Sequence, residues 1–261
     1  MVAAVKAITS RANPQWMRLR KLALDPGAYR KQREVWIEGE HLCDAYLRSG
    51  GVPLCVAIAE TAWQQPRLRA LASRAENVLV VAAPLMAALS TLGSPPALGF
   101  AIRWPGPGVI VAGRASVVLD RVQDAGNVGS ILRSAAAFGF TQVVALEGTA
   151  ALWSPKVVRA GMGAHFMLEL AEGVGPGALG ALGVPLLATS PHARTSIDAV
   201  PLRWPCAWVL GNEGQGVSAD VLALCGERLA IAQPGGGESL NAAAAAAICL
   251  YESARQRTAR T

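Results

Sequence analysis

Five short apolar runs, "SVVLDRV" (116–122), "QVVAL" (142–146), "PLLATS" (185–190), "AWVLG" (207–211) and "RLAIA" (228–232), constrain the fold more than any other feature of the chain. The apolar run in the first of them is continuous. A strand built that way is buried on both faces, as strands of a parallel sheet covered by helices are. The helical stretch "SILRSAAAFGF" (130–140) ends at a stop signal, Gly139, and separates the first two strands, which is a β-α-β pattern. The second half of the chain is therefore expected to form a mostly parallel sheet with helices on its faces.

The first half alternates in the same way. "VWIEG", "PLCVAIA" and "VLVVAA" read as strands, and "HLCDAYLRSGG" and "PRLRALASRA" as helices. The breakers Pro105, Gly106, Pro107 and Gly108 then interrupt "IRWPGPGVIVAGRA". This places a smaller α/β domain at residues 1–108 and a second domain at 109–261. Of the 261 residues, 52% are hydrophobic and 16% charged, which suits a compact chain and excludes a disordered or collagen-like one.

Five cysteines, Cys43, Cys55, Cys206, Cys225 and Cys249, are odd in number, widely spaced and set in apolar segments. They read as reduced core residues of a cytoplasmic protein. His41, His165 and His192 stand apart from one another and no CxxC spacing occurs, so no metal is expected. The most apolar run, "VLVVAAPLMAALSTLG", is broken by Pro84 and is too short to span a bilayer, and no signal-peptide core precedes it.

The net charge of +6 is unevenly distributed. Between residues 11 and 33 lie Arg11, Arg18, Arg20, Lys21, Arg30, Lys31 and Arg33 against a single acid, Asp25. This is either a phosphate-facing surface or an ordinary solvated helix face. Trp16 and Tyr29, interleaved with these bases, favour RNA if their rings are free to stack on unpaired bases.

Chemistry is expected where three glycine-bearing loops leave strand ends: "DAGNVGS" (124–130), "GNEGQGVS" (211–218) and "QPGGGESLN" (233–241). Open α/β sheets collect ligands outside the carboxyl ends of their strands. The dinucleotide spacing G-x-G-x-x-G is absent, which disfavours a Rossmann-type methyltransferase or reductase, and no loop ends in the G-K-[ST] of a phosphate-binding P-loop.

"NVGSILRSAAAFG" (127–139), "GNEGQG" (211–216) and "ESLNAAAAAAICLYE" (238–252) resemble, in order, the three motifs of the SpoU/TrmH-type RNA ribose 2'-O-methyltransferases of the SPOUT superfamily. "WSPKVVRAGMGAHF" (153–166) is similar to a further family segment, so the likeness spans about residues 113–252. It implies a C-terminal parallel sheet with a trefoil knot, a homodimer built across the cofactor region, and S-adenosyl-L-methionine as methyl donor. The first hundred residues, with "ITSRANP" and "REVWIEGEHLCDA", look like the L30e-like RNA-binding domain that precedes the catalytic domain in many members.

Carried over by position, Asn127, Arg133, Glu213, Ser239 and Asn241 match the polar positions around the transferred methyl and the ribose hydroxyl. Read alone, Asn127 and Ser130 are equally helix caps, and Glu213 a turn residue. Leu210, Gly211, Ile231, Gln233 and Leu240 fall on the cofactor side, with Thr189 and Ser190 of "ATSPHA" beside the adenosine. Gly235, Gly236 and Gly237 are expected to allow close backbone approach, and the alanines after Asn241 to give a thin helix beside the crossing. Arg133, taken to lie near a helix N-terminus, acts either as general base or, since a guanidinium stays protonated, as an electrostatic positioner. The chain departs from the family in one place: Ala232 and Gln233 stand where a Pro-Met pair is usual. Ribosomal RNA is the expected substrate; transfer RNA, or a non-catalytic RNA-binding role on the same fold, are the alternatives.

Overall fold

A computed structural model describes residues 4–191, 193–236 and 239–259; His192, Gly237 and Glu238 lie outside them. The chain divides into two compact units, one of residues 1–106 with 153–166, the other of 107–152 with 167–261.

The first unit runs β1 (Ala4–Ile8), α1 (Pro14–Leu24), α2 (Ala28–Gln32), β2 (Glu34–Glu38), α3 (Glu40–Arg48), β3 (Cys55–Ala59), α4 (Glu60–Trp63), α5 (Pro66–Ala72), β4 (Asn77–Val81), α6 (Ala83–Ala87) and β5 (Leu98–Arg103). Its sheet has the order β1-β4-β3-β5-β2. The first three are parallel, and β5 and β2 each join antiparallel. β5 runs through Ile102 and Arg103, which pair with β2, and the breakers expected at 105–108 follow directly after Trp104. Helix α1 begins where Asn13 accepts hydrogen bonds from the backbone N–H groups of Gln15 (2.9 Å) and Trp16 (3.3 Å), with Pro14 at the first helical position. Trp16, Leu19, Leu22 and Ala23 form its buried stripe, which turns Met17, Arg20 and Lys21 outward.

The second unit runs β6 (Ser116–Asp120), α7 (Ala125–Ala137) and β7 (Gln142–Leu146). The chain then contributes α8 (Pro155–Gly161) to the first unit, where Arg159 pairs with the buried Glu38 (2.9 Å) and Phe166 packs on Tyr46 with ring centroids 5.2 Å apart. It returns as β8 (Glu169–Val174), β9 (Leu186–Thr189), β10 (Ala207–Gly211), α9 (Ala219–Leu224), β11 (Glu227–Leu229) and α10 (Ala242–Thr258). The six-stranded sheet has the order β11-β9-β10-β6-β7-β8, and every pairing in it is parallel.

β6 is buried throughout, as its unbroken apolar run requires. Val118, Val144, Val209 and Val221 lie in the core on one face of the sheet. On α10, Ala246, Cys249 and Leu250 are buried, and Ser253 accepts a 2.8 Å hydrogen bond from the indole N–H of Trp208. From β6 the chain lays β7 and β8 to one side, then crosses to place β9 on the other side, β10 between β9 and β6, and β11 at the outer edge. The strand order thus reverses between β6 and β10, where the loops carrying two of the three motifs emerge. Among the described residues no helix is long and apolar enough to cross a membrane.

Candidate active site

The loop after β10 folds back on itself. Asn212 and Gly216 form an antiparallel bridge (2.8 and 3.0 Å), while the Asn212 side chain accepts from the N–H groups of Gly214 and Gln215, both at 3.0 Å. Its amide also donates to the carbonyl of Arg121 at 3.0 Å, tying the loop to the end of β6. The turn needs glycine at Gly211: a Cβ there would lie 2.1 Å from backbone atoms of Gly216 and Val217. Close approach is thus found at Gly211. At Gly235 and Gly236 a Cβ would meet no protein atom within 4 Å; Gly236 serves a left-handed turn (φ +64).

Beneath this loop lies a cavity of about 560 Å³. Leu210, Leu222, Ile231, Leu240 and Ala245 give it apolar walls, and Thr189, Ser190, Gln233 and Ser239 give it polar edges. All seven expected cofactor positions, Thr189, Ser190, Leu210, Gly211, Ile231, Gln233 and Leu240, line it. Sequence reading missed Leu222, an apolar residue of α9 outside every motif and with no chemical signature of its own, and did not single out Pro191 or Ala245 within the segments it had named.

Three motif residues meet at the edge. The Asn127 amide donates to Glu213 Oε1 (3.0 Å), and the Asn241 amide donates to Asn127 Oδ1 (2.9 Å). Glu213 also accepts from the backbone N–H groups of Gln123 and Asp124, both at 3.2 Å. Burial pushes its carboxyl upward, but these bonds outweigh burial and hold it below the ordinary glutamate value, as an anion. The cap of α7 is Asp124, which accepts from the Asn127 N–H at 2.7 Å, so the Asn127 side chain is free for this network rather than spent as a cap. Asn241 caps α10 through Ala243 (2.9 Å) and Ala244 (3.3 Å) and reaches Asn127 with its other end.

Arg133 requires a correction. It is the ninth of the thirteen residues of α7, two turns from the helix N-terminus, so the dipole there does not assist it. Its side chain is exposed and does not line the cavity, and the structure records no hydrogen bond or ion pair for it among the described residues.

The basic segment also differs from expectation. Trp16 and Tyr29 are 5% and 2% exposed, and the Trp16 indole donates to the Leu85 carbonyl (3.0 Å), so neither ring is free to stack on a base. Arg18 is paired with Glu34 and half-buried. Arg11, Arg20, Lys21, Arg30, Lys31 and Arg33 are exposed. Arg30 lies over Tyr29 and Arg33 over Trp104, with the charge 4.8 and 5.4 Å from the ring centres. Arg11, Arg20 and Lys21 line a groove of about 480 Å³ along α1. Of the cysteines, four are buried and Cys225 is half-buried. Burial pushes the Cys206 and Cys249 thiols up to about 12, which makes them poor nucleophiles. Among the described residues no cluster of metal-ligating side chains occurs.

A cavity at the reversal point of a parallel sheet, walled by apolar residues and edged by a fixed carboxylate and two amides, defines a small-molecule site of an α/β enzyme. Residues 114–251 match the SpoU rRNA methylase family. Over 98% of its length the chain is 33% identical to an uncharacterized tRNA/rRNA methyltransferase of Synechocystis sp., covering 96% of that protein. It is 29% identical to the 23S rRNA (guanosine(2553)-2'-O)-methyltransferase RlmP of Bacillus subtilis, over 85% of this chain and 88% of that one. Its fold is similar to that of an AdoMet-bound rRNA methyltransferase from Sinorhizobium meliloti, with a TM-score of 0.83, 26% identity and coverage of 96% and 98%. The chain belongs to the SpoU rRNA methylase family and is an RNA methyltransferase.

Proposed function

We propose that this protein transfers the methyl group of S-adenosyl-L-methionine to a ribose 2'-hydroxyl of ribosomal RNA. The observation that carries the reading is the Asn127–Glu213–Asn241 network, which joins three motifs separated by 86 and 114 positions at the edge of one cavity. The cavity fits the donor: its volume suits a nucleoside-sized ligand, its walls are apolar, and an anionic carboxylate stands at its edge. When bound there, the donor supplies an electrophilic methyl on a sulfonium sulfur.

The residues of the chain supply position and charge. Leu210, Ile231 and Leu240 sandwich the apolar part of the donor, Thr189 and Ser190 face its adenosine, and Gln233 contacts its methionine end in place of the family's usual residues. Glu213 holds Asn127, and Asn127 in turn holds Asn241, so two amides are fixed at the edge before RNA arrives, which is the preorganisation that in-line transfer requires. Ser239 and Asn241 orient the ribose hydroxyl. Arg133 stabilises the alkoxide that develops on it, and as a permanent cation it is not the base.

A homodimer completes the site. Gly126, Ser130, Arg133 and Ala137 form one stripe of α7, and Ala244, Ile248 and Tyr251 one stripe of the α10 helix packed beside it. Tyr251 is 55% and Ile248 38% exposed, an apolar, small-residue face suited to a second copy. Arg133 belongs to this face. We read the C-terminal segment as threading a trefoil knot, a reading supported by contacts of the loop before β10 on both sides of the third motif: the Ala230 N–H donates to the Thr195 carbonyl (2.8 Å), and Gln256 of α10 bonds Val200 (3.1 Å) and Leu202 (2.8 Å). The first unit is an L30e-like RNA-binding domain whose contacts come from Arg11, Arg20, Lys21, Arg30, Lys31 and Arg33, and the enzyme works in the cytoplasm, where rRNA is processed. Incubation with methyl-tritiated S-adenosylmethionine and ribosomal RNA, followed by mapping of 2'-O-methyl sites, tests the reading; label absent from ribosomal RNA and present in transfer RNA would reassign the substrate.

A further inference from the structure

Arg121 occupies the turn between β6 and α7 with φ +57, a left-handed conformation that costs a long side chain about 1–2 kcal/mol and that glycine or asparagine adopts more readily. The turn is fixed from several sides. Its N–H donates to Thr149 Oγ1 (3.1 Å) and its carbonyl accepts from Asn212 (3.0 Å). The side-chain stem lies along Gly148, where an added Cβ would sit 3.2 Å from Arg121 Cγ. Nε donates to Asp120 Oδ1 (3.2 Å), and Asp120 is itself 2% exposed and held by the Ser218 N–H (2.6 Å). Nη1 donates to Gln215 Oε1 (3.1 Å), on the loop that covers the cavity.

A guanidinium carries five N–H donors, and these bonds use two of them. The side chain is 36% exposed, and Nη2 has no recorded partner among the described residues. Arg121 does not line the cavity, so its unused donors are not spent on the ligand inside it and remain open to solvent. The neighbouring rim carries the carboxylates of Asp124 and Glu213, which repel a polyanion. We propose that Arg121 is a preorganised phosphate clamp, holding a backbone phosphate of the RNA next to the nucleotide whose ribose is methylated; this rests on the RNA-methylation reading above. A clip that only joined Asp120 to Gln215 would not need a permanent planar fork in a strained turn, whereas phosphate recognition uses both the fork and its fixed orientation.

The test uses the full-length protein and a 23S rRNA transcript. Arg121→Asn suits the left-handed backbone and removes the charge. Its affinity for the transcript is expected to fall roughly tenfold at about 0.15 M salt, and the slope of log K against log salt to shrink by about 1. Affinity for S-adenosylmethionine should fall by much less than RNA affinity, because the covering loop loses only the bond to Gln215 and keeps the Asn212 bond to the carbonyl of residue 121. Arg121→Lys, which keeps the charge and loses the fork, should retain the salt slope with an intermediate affinity. RNA affinity and salt slope that match wild type in Arg121→Asn overturn the clamp. Binding is measured apart from transfer, so a wild-type protein that binds the transcript without methylating it sinks the methylation reading and leaves the clamp to be decided by the slopes.

Discussion

Replacing Gly211 by alanine tests whether the covering loop shapes the cavity. The new Cβ would stand 2.1 Å from Gly216 C and Val217 N, where ordinary contact begins at 3.4 Å, so the return strand has to retreat by about 1.3 Å (3.4 − 2.1). The two bonds between Asn212 and Gly216, at 2.8 and 3.0 Å, do not survive that movement. Each is worth about 1 kcal/mol, and residual overpacking adds about 1–3 kcal/mol, for a total of about 3–5 kcal/mol borne by the loop. The loop from Gly211 to Val217 forms one side of the cavity, so the cost appears in ligand affinity. Isothermal titration with S-adenosylmethionine should show affinity reduced at least ~30-fold, equivalent to about 2 kcal/mol. Gly235→Ala is the matched control: nothing lies within 4 Å of its Cβ, and denaturation should shift by no more than about 0.5 kcal/mol. A Gly211→Ala protein that binds the donor within threefold of wild type would refute the argument that backbone crossing, rather than side-chain contact, builds this wall.

Three further outcomes follow from the same structure. Glu213 titrates below its unfolded value, so its contribution to stability is complete above the unfolded value of about 4.3 and is lost as pH falls through the lower folded one; the stability gap between wild type and Glu213→Gln in urea should be constant above about pH 5 and close in acid, and a gap that persists there contradicts the hydrogen-bond account. Arg159→Ala strands the buried Glu38 carboxylate, whose other hydrogen bond recorded among the described residues is from Ser90 Oγ at 3.2 Å, and should cost about 3–5 kcal/mol in denaturant unfolding, with Glu38→Gln in the same background recovering part of it. Arg133→Lys should lower methyl transfer at least ~100-fold with donor affinity within twofold, and near-normal turnover would remove any special role for the guanidinium.

What was legible in the chain and what was not separate along a physical line. The parallel sheet could be read because burial on both faces demands an unbroken apolar run such as Val117–Val118–Leu119, and hydrophobicity is a property each residue carries by itself. Asn127, Glu213 and Asn241 were placed by the likeness of their segments to the family's motifs; strand-end geometry marked only their loops, which leave one edge of the sheet, and the structure brings the three side chains together there. Failures came where a side chain's fate depended on a partner far along the chain. Trp16 looked available for stacking, yet the carbonyl of Leu85, 69 positions away, takes its indole N–H. Arg18 looked like a phosphate ligand until Glu34 paired with it. The segment 153–166 reads as part of the second unit by position, but the buried Glu38 draws Arg159 into the first. Arg121 is the opposite instance: nothing in its residue type marks it, and although Arg33 shares its left-handed backbone, Arg121 joins that backbone to a buried carboxylate and to unused donors.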